Sequence, residues 1–281
     1  MNKKTFTTKR KAFSLIELSI VLIIIGLLVA GVTGGASLIK NAELRGVASE
    51  ARGYQTAVNS FYAKYSGLPG DFPTAIGAST TSPSTVIVGN NDGLISFVAG
   101  IAGVDAVGRL ESNTAWLMLK NDNFVNDSFT PGATDLAGST PFTVALTGGT
   151  NVPASKSRNG AWTFDNITVG STTQNVVILF GGSSNPLATT APVTGTAYNM
   201  TTVAADNAAL TAATSASATG NAQLLATDAL SIDSKVDDGL ANSGKVSALL
   251  NTSNNCSNAA VYTTATAYKA CALAFQVDPN S

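Results

Sequence analysis

Lys11-Ala12-Phe13-Ser14-Leu15-Ile16-Glu17-Leu18 opens a run that continues Ser19-Ile20-Val21-Leu22-Ile23-Ile24-Ile25-Gly26-Leu27-Leu28-Val29-Ala30. Between positions 13 and 39 the only charged residue is Glu17. A helix over 13–39 would span about 40 Å, enough to cross the roughly 30 Å hydrocarbon core of a bilayer. Upstream, residues 1–12 carry Lys3, Lys4, Lys9, Arg10 and Lys11 and no acid. That flank predicts a cytoplasmic N-terminus and an exported remainder. An ordinary secretory signal has an apolar region of about 7–15 residues and a small-residue cut site after it; this run is longer. A plain membrane anchor accounts for everything except Glu17. A carboxylate inside an apolar span costs on the order of 2.5–3.5 kcal/mol on insertion scales, and residues 13–39 contain no Lys or Arg to offset it.

The rest of the composition narrows the function. The chain has 281 residues, a formal net charge of −1, no histidine, two cysteines and only 12% charged residues. Without histidine there is no imidazole general base, no Ser-His or Cys-His nucleophile pair and no imidazole metal site. Two cysteines alone cannot build a zinc or iron–sulfur ligand set. Few basic residues make a poor bulk attractor for nucleic acid. Lys156, Arg158, Lys235, Lys245 and Lys269 would form at most a weak DNA- or surface-binding patch, and scattered solvated cations explain them better. No nucleotide loop, catalytic triad or paired-carboxylate motif stands out, so the expectation is a protein that is not an enzyme.

The quoted N-terminal residues resemble the class III signal of type IV pilins and type II secretion pseudopilins. The shared pattern is a basic leader, a small residue, Phe, an acid four residues later and a long apolar run. The resemblance covers about the first 50 residues and implies a pilin fold of the α+β class, with a long N-terminal helix packed on an antiparallel sheet. It implies that a prepilin peptidase cuts between Ala12 and Phe13 and methylates the new amine of Phe13. Ala12 stands where the family usually has Gly. The resemblance also supplies Glu17 with a partner, the N-terminal amine of a neighbouring subunit. Burial is costly for each charge alone and offset only when the two meet, so Glu17 would set axial register in a filament of copies of this chain or of other pilins.

Four segments follow from this reading: a cleaved leader at 1–12, a transmembrane and filament-core helix at 13–39, its amphipathic continuation at 40–66, and an extracytoplasmic head at 67–281. In the continuation, Leu44, Val47, Ala51, Tyr54, Val58, Phe61 and Tyr65 recur by three and four, the spacing of one helical face. Gly26, Gly31, Gly34 and Gly35 thin the helix at roughly 0.5–1 kcal/mol each relative to Ala, which predicts a place for local unwinding on assembly. Residues 67–73 (Gly67-Leu68-Pro69-Gly70-Asp71-Phe72-Pro73) stop the helix, and a Pro/Gly/Ser/Thr loop runs on to Gly89. In the head, 110–119 reads as a short helix; 161–164 and 175–180 as strands; 181–220 as exposed Thr/Ala/Ser/Asn-rich loop open to O-glycans, with a helix near 203–213. Residues 221–234 read as a helix, and 245–249 and 270–277 as strands.

In an exported chain Cys256 and Cys271 are simplest as a disulfide, a reading the resemblance strengthens, since many pilins staple the C-terminal region in this way. A loop near 15 residues is worth about 3 kcal/mol on the chain-entropy model. Asp233, Asp237 and Asp238 beside Gly239 form the tightest acidic cluster. The resemblance to pseudopilins suggests calcium there; the spacing is not that of an EF-hand, and a turn with Asp side chains on backbone amides is the other reading. The implied function is a structural subunit of a type IV pilus-like filament, with a type II secretion pseudopilin, or a minor tip pilin acting as adhesin or DNA-binding module, as alternatives. The chain would sit in the bacterial inner membrane, meet the peptidase/methyltransferase and an assembly platform there, and end in a surface pilus, or in the periplasm if a pseudopilin.

Overall fold

The computed structural model describes residues 15–73, 89, 91–95, 111–130, 148–150, 152–157, 160–169, 172–181, 223–249, 256–258, 260–265 and 269–279. The leader 1–12 with Ala12, the cut-site residue Phe13, Arg158, and most of the expected loops at 74–89 and 181–220, including the helix expected near 203–213, lie outside the described residues. The chain divides into two units, Met1–Glu43 and Leu44–Ser281.

In the first unit the described residues belong to helix α1 (Leu15–Tyr65). Its hydroxyls turn back on the helix's own carbonyls, Ser19 Oγ donating to Ile16 O at 2.9 Å and Thr33 Oγ1 to Val29 O at 3.0 Å. These two hydroxyls thereby satisfy themselves locally within the apolar run.

The second unit is α+β. Its elements are the rest of α1, then α2 (Glu111–Asn121), β1 (Gly160–Val169), β2 (Thr172–Gly181), α3 (Ala226–Val236), β3 (Val246–Leu249), β4 (Ser257–Asn258), β5 (Val261–Tyr262) and β6 (Ala272–Gln276). Four strands form one sheet in the order β1-β2-β6-β3, every neighbouring pair antiparallel, and β4 with β5 makes a small second ladder.

The stripe on α1 buries as its spacing demands: Leu44, Val47, Ala51, Tyr54, Val58 and Phe61 are all buried, joined by Ala57. Against it stand α2 and the sheet. The Tyr54 ring meets Trp116 of α2 edge-on at 5.0 Å and Trp162 of β1 at 5.5 Å; Trp116 lies 4.3 Å from Phe164 and Trp162 5.7 Å from Phe275 of β6. Edge and tilted contacts of this kind suit aromatic quadrupoles and add to the area buried. Beyond Tyr65 the chain reverses through Ser66 at φ 56°. At Gly70, φ 88°, a Cβ would lie 2.3 Å from the carbonyl oxygen of Glu111, so only glycine allows this approach to the start of α2.

Strand β2 begins three residues before the expected 175–180, β4 and β5 were not expected, and two further differences have a clear physical reason. Strand β1 runs five residues beyond the C-terminal edge of the expected 161–164, because Asp165, Asn166 and Thr168 keep pairing in register with Val176, Asn175 and Thr173. Helix α3 begins later than 221: Leu224 is taken by the sheet, its N–H donating to Cys271 O at 2.9 Å and its carbonyl accepting from Cys271 N at 3.0 Å. A ladder bond to a neighbouring strand outweighs the helical preference of three residues.

Candidate assembly site

Along 15–39, each Leu, Ile and Val side chain is at least half exposed, from 50% at Val21 and Ile25 to 88% at Leu15. No face of this part of α1 is packed. That apolar surface far exceeds the few hundred Å² a soluble monomer ordinarily shows, so it needs a bilayer or other helices around it. By length and hydropathy α1 is able to cross a membrane. Glu17 sits in its first turn, where the positive end of the helix dipole favours an acid. At Gly26, Gly31, Gly34 and Gly35 an added Cβ would meet nothing within 4 Å. Within one subunit these glycines therefore relieve no crowding, and their small size is open to a neighbouring helix.

From Leu44 onward, polar side chains of α1 clamp the head. Glu50 accepts from Ser155 Oγ at 2.8 Å, from the Lys156 amide at 2.9 Å and from Trp162 Nε1 at 3.3 Å. Burial pushes its carboxyl above the usual range, and those hydrogen bonds partly oppose the shift. Tyr54 donates to Asp127 Oδ2 at 2.8 Å, and Gln55 Nε2 to the Gln276 carbonyl at 2.6 Å. Desolvation and the Asp127 charge both raise the Tyr54 hydroxyl pKa.

Among the described residues the head holds two acidic trios whose carboxylate oxygens lie within 4.8 Å of one another. One is Asp233, Asp237 and Asp238. Asp233 is wholly buried and accepts from Tyr262 Oη at 2.8 Å and from the Gly239 amide at 3.3 Å. Asp237 Oδ2 accepts from the amides of Lys245 and Val246, and Asp238 from the Leu240 amide and Ser243 Oγ. Burial, with Asp237 and Asp238 adding like charge, pushes Asp233 up to about 6. These bonds make a well-capped turn; oxygen donors also suit calcium, which would have to share them.

The second trio, Asp71, Asp92 and Glu111, was not visible in the sequence, where its members stand far apart. Asp71 is buried and accepts from the amides of Asp92 at 3.0 Å and Gly93 at 2.9 Å, so it pins the segment 91–95 to the end of α1's stop signal. Desolvation raises its pKa. The only sequence signal was the pairing of an acid with a Gly/Pro turn.

Cys256 and Cys271, both buried, are joined by a disulfide with Cα atoms 4.9 Å apart. It ties the β4 segment to the start of β6.

Residues 7–33 match the family signature described as the prokaryotic N-terminal methylation motif. No curated protein and no solved structure matches the chain.

Proposed function

The chain carries the class III signal of the type IV pilin and pseudopilin family, and from that premise we propose that it is a structural subunit of a type IV pilus-like filament. The observation that carries the reading is the apolar stretch 15–39 of α1, exposed on every side and interrupted by one acid, Glu17, inside the motif. Prepilin peptidase removes 1–12 between Ala12 and Phe13, and the amine of Phe13 is methylated. Held in the inner membrane by 13–39, the subunit is passed by an assembly platform into a helical stack. There the helices of neighbouring copies replace lipid, and Glu17 of one copy meets the Phe13 amine of the next. In so apolar a medium an unmatched carboxylate or ammonium is costly, so hydrophobic packing supplies adhesion and the ion pair selects the axial register. Pilins as a family are structural proteins, and the proposal gives this chain no catalytic step.

The test is mass spectrometry of the mature N-terminus together with imaging of sheared surface filaments. Wild-type chain is expected to begin at methylated Phe13 and to form abundant fibres of one subunit mass. Glu17→Ala is expected to leave the protein in the membrane while filaments are lost or sharply reduced; normal piliation in that variant would sink the register role. Fibres seen only on overproduction of a secretion apparatus would assign the chain to a pseudopilus, and low copy number at fibre tips to a minor subunit.

We propose calcium at Asp233, Asp237 and Asp238 as a separate point, supported by the close approach of the three carboxylates. A divalent cation would offset the like charge of Asp237 and Asp238 that, after burial, raises the Asp233 pKa.

A further inference from the structure

We infer that a groove between α1 and α3 in the head receives the acidic surface of a second copy of this chain; the inference rests on the filament reading and names one of its contacts. The groove holds about 280 Å³. Leu44 of α1 and Ile232 of α3 form its floor, Ser49 lines it, and Arg45, Arg52 and Lys235 stand around it.

Arg45 and Arg52 are two helical turns apart and so share a face; both are exposed, as is Lys235. Among the described residues no carboxylate lies within ion-pair distance of any of the three. Lys235 Nζ donates to Ser231 Oγ, a neutral partner, at 3.0 Å. Three acids that stand two residues from Arg52 or Lys235 are committed elsewhere, Asp237 to the amides of Lys245 and Val246. Glu50 is turned onto Ser155, Lys156 and Trp162, and Asp233 onto Tyr262 and Gly239.

Charge complementarity identifies the occupant. Without residues 1–12 the chain has eleven basic against 17 acidic residues, a formal −6. Three of those eleven cations stand around this one groove. Net-acidic bodies repel when packed closely, and an uncompensated basic groove is where a neighbour's carboxylates relieve that repulsion. The nearly buried Leu44 and Ile232 lower the local dielectric, which strengthens an ion pair formed there. Such contacts fix register and exclude wrong orientations more than they add adhesion.

Ser49→Cys places a single thiol in the groove, since Cys256 and Cys271 are joined to each other. The full-length variant is labelled with a membrane-impermeant maleimide in three settings: intact membranes before assembly, detergent-solubilised subunits and sheared filaments. Labelling is expected in the first two and roughly tenfold protection in filaments. Adding Arg45→Glu and Arg52→Glu is expected to cut filament yield roughly tenfold and lower the salt concentration at which remaining fibres fall apart, with subunit level and disulfide unchanged. Arg45→Gln with Arg52→Gln is expected to fall between. Equal labelling of filaments and subunits, or charge-reversed filaments with wild-type yield and salt resistance, would overturn the inference and leave the filament reading standing. Protection already present in membranes assigns the groove to lipid and overturns it as well. Absence of any wild-type filament defeats the filament reading itself.

Discussion

At the residue scale, buried acids decide how the head responds to pH. Glu50, Asp71 and Asp233 all have folded pKa values above the ordinary range, burial being the largest cause in each. The native chain therefore holds these protons more tightly than the unfolded chain. Their contribution to stability is complete below the unfolded values near 4 and is lost as pH rises through the folded ones, about 6 for Asp233. A thermal melt of the detergent-solubilised chain is expected to give a higher Tm near pH 5 than near pH 7.5. Asp233→Asn keeps an acceptor for the Tyr262 hydroxyl and removes the charge facing Asp237 and Asp238, so it is expected to narrow that gap. An unchanged gap would mean that another group governs it. In the same assay, millimolar calcium near neutral pH raises the wild-type Tm and leaves Asp233→Asn unmoved if the turn holds the ion.

At the element scale, one helix obeys two rules. From Leu44 to Phe61 the three-and-four spacing buries one face, whereas 15–39 has no polar face and buries none. Phe61 is fully buried with Tyr65 at 4.7 Å, Phe72 at 6.2 Å and Phe124 at 6.3 Å. Phe61→Ala is expected to cost about 3–5 kcal/mol, read from denaturant unfolding of the head by tryptophan fluorescence. Leu22→Ala, whose side chain is 61% exposed, is expected to stay within about 0.5 kcal/mol in that assay. The stripe was legible because a helix face has one period wherever it packs. Strand limits were less so: Asp165 and Asn166 look like loop residues, yet their backbones complete the β1–β2 ladder. The two-residue strands β4 and β5 left no periodic signal to read.

For the whole molecule, covalent closure and charge matter together. The disulfide meets β6 where Leu224 bridges Cys271, so it holds the strand shared by β2 and β3. Cys256→Ser with Cys271→Ser is expected to lower unfolding free energy by about 3 kcal/mol, seen as a reduced urea midpoint with the slope retained. By itself the sequence determined the long apolar span, the two-part helix and the low overall charge, while the α+β class came from the family resemblance of its N-terminal residues. The span, the helix and the charge depend on local composition or on a period that neighbours cannot alter. Tertiary structure alone decided the rest. It brought Asp71, Asp92 and Glu111 together, turned Glu50 onto Ser155 and Trp162, and left Arg45 and Arg52 beside Lys235 without an acid among the described residues. These groupings join residues tens to hundreds of positions apart. Which carboxylate is buried and which cation stays uncompensated depends on how helices cross a sheet, and no local pattern encodes that.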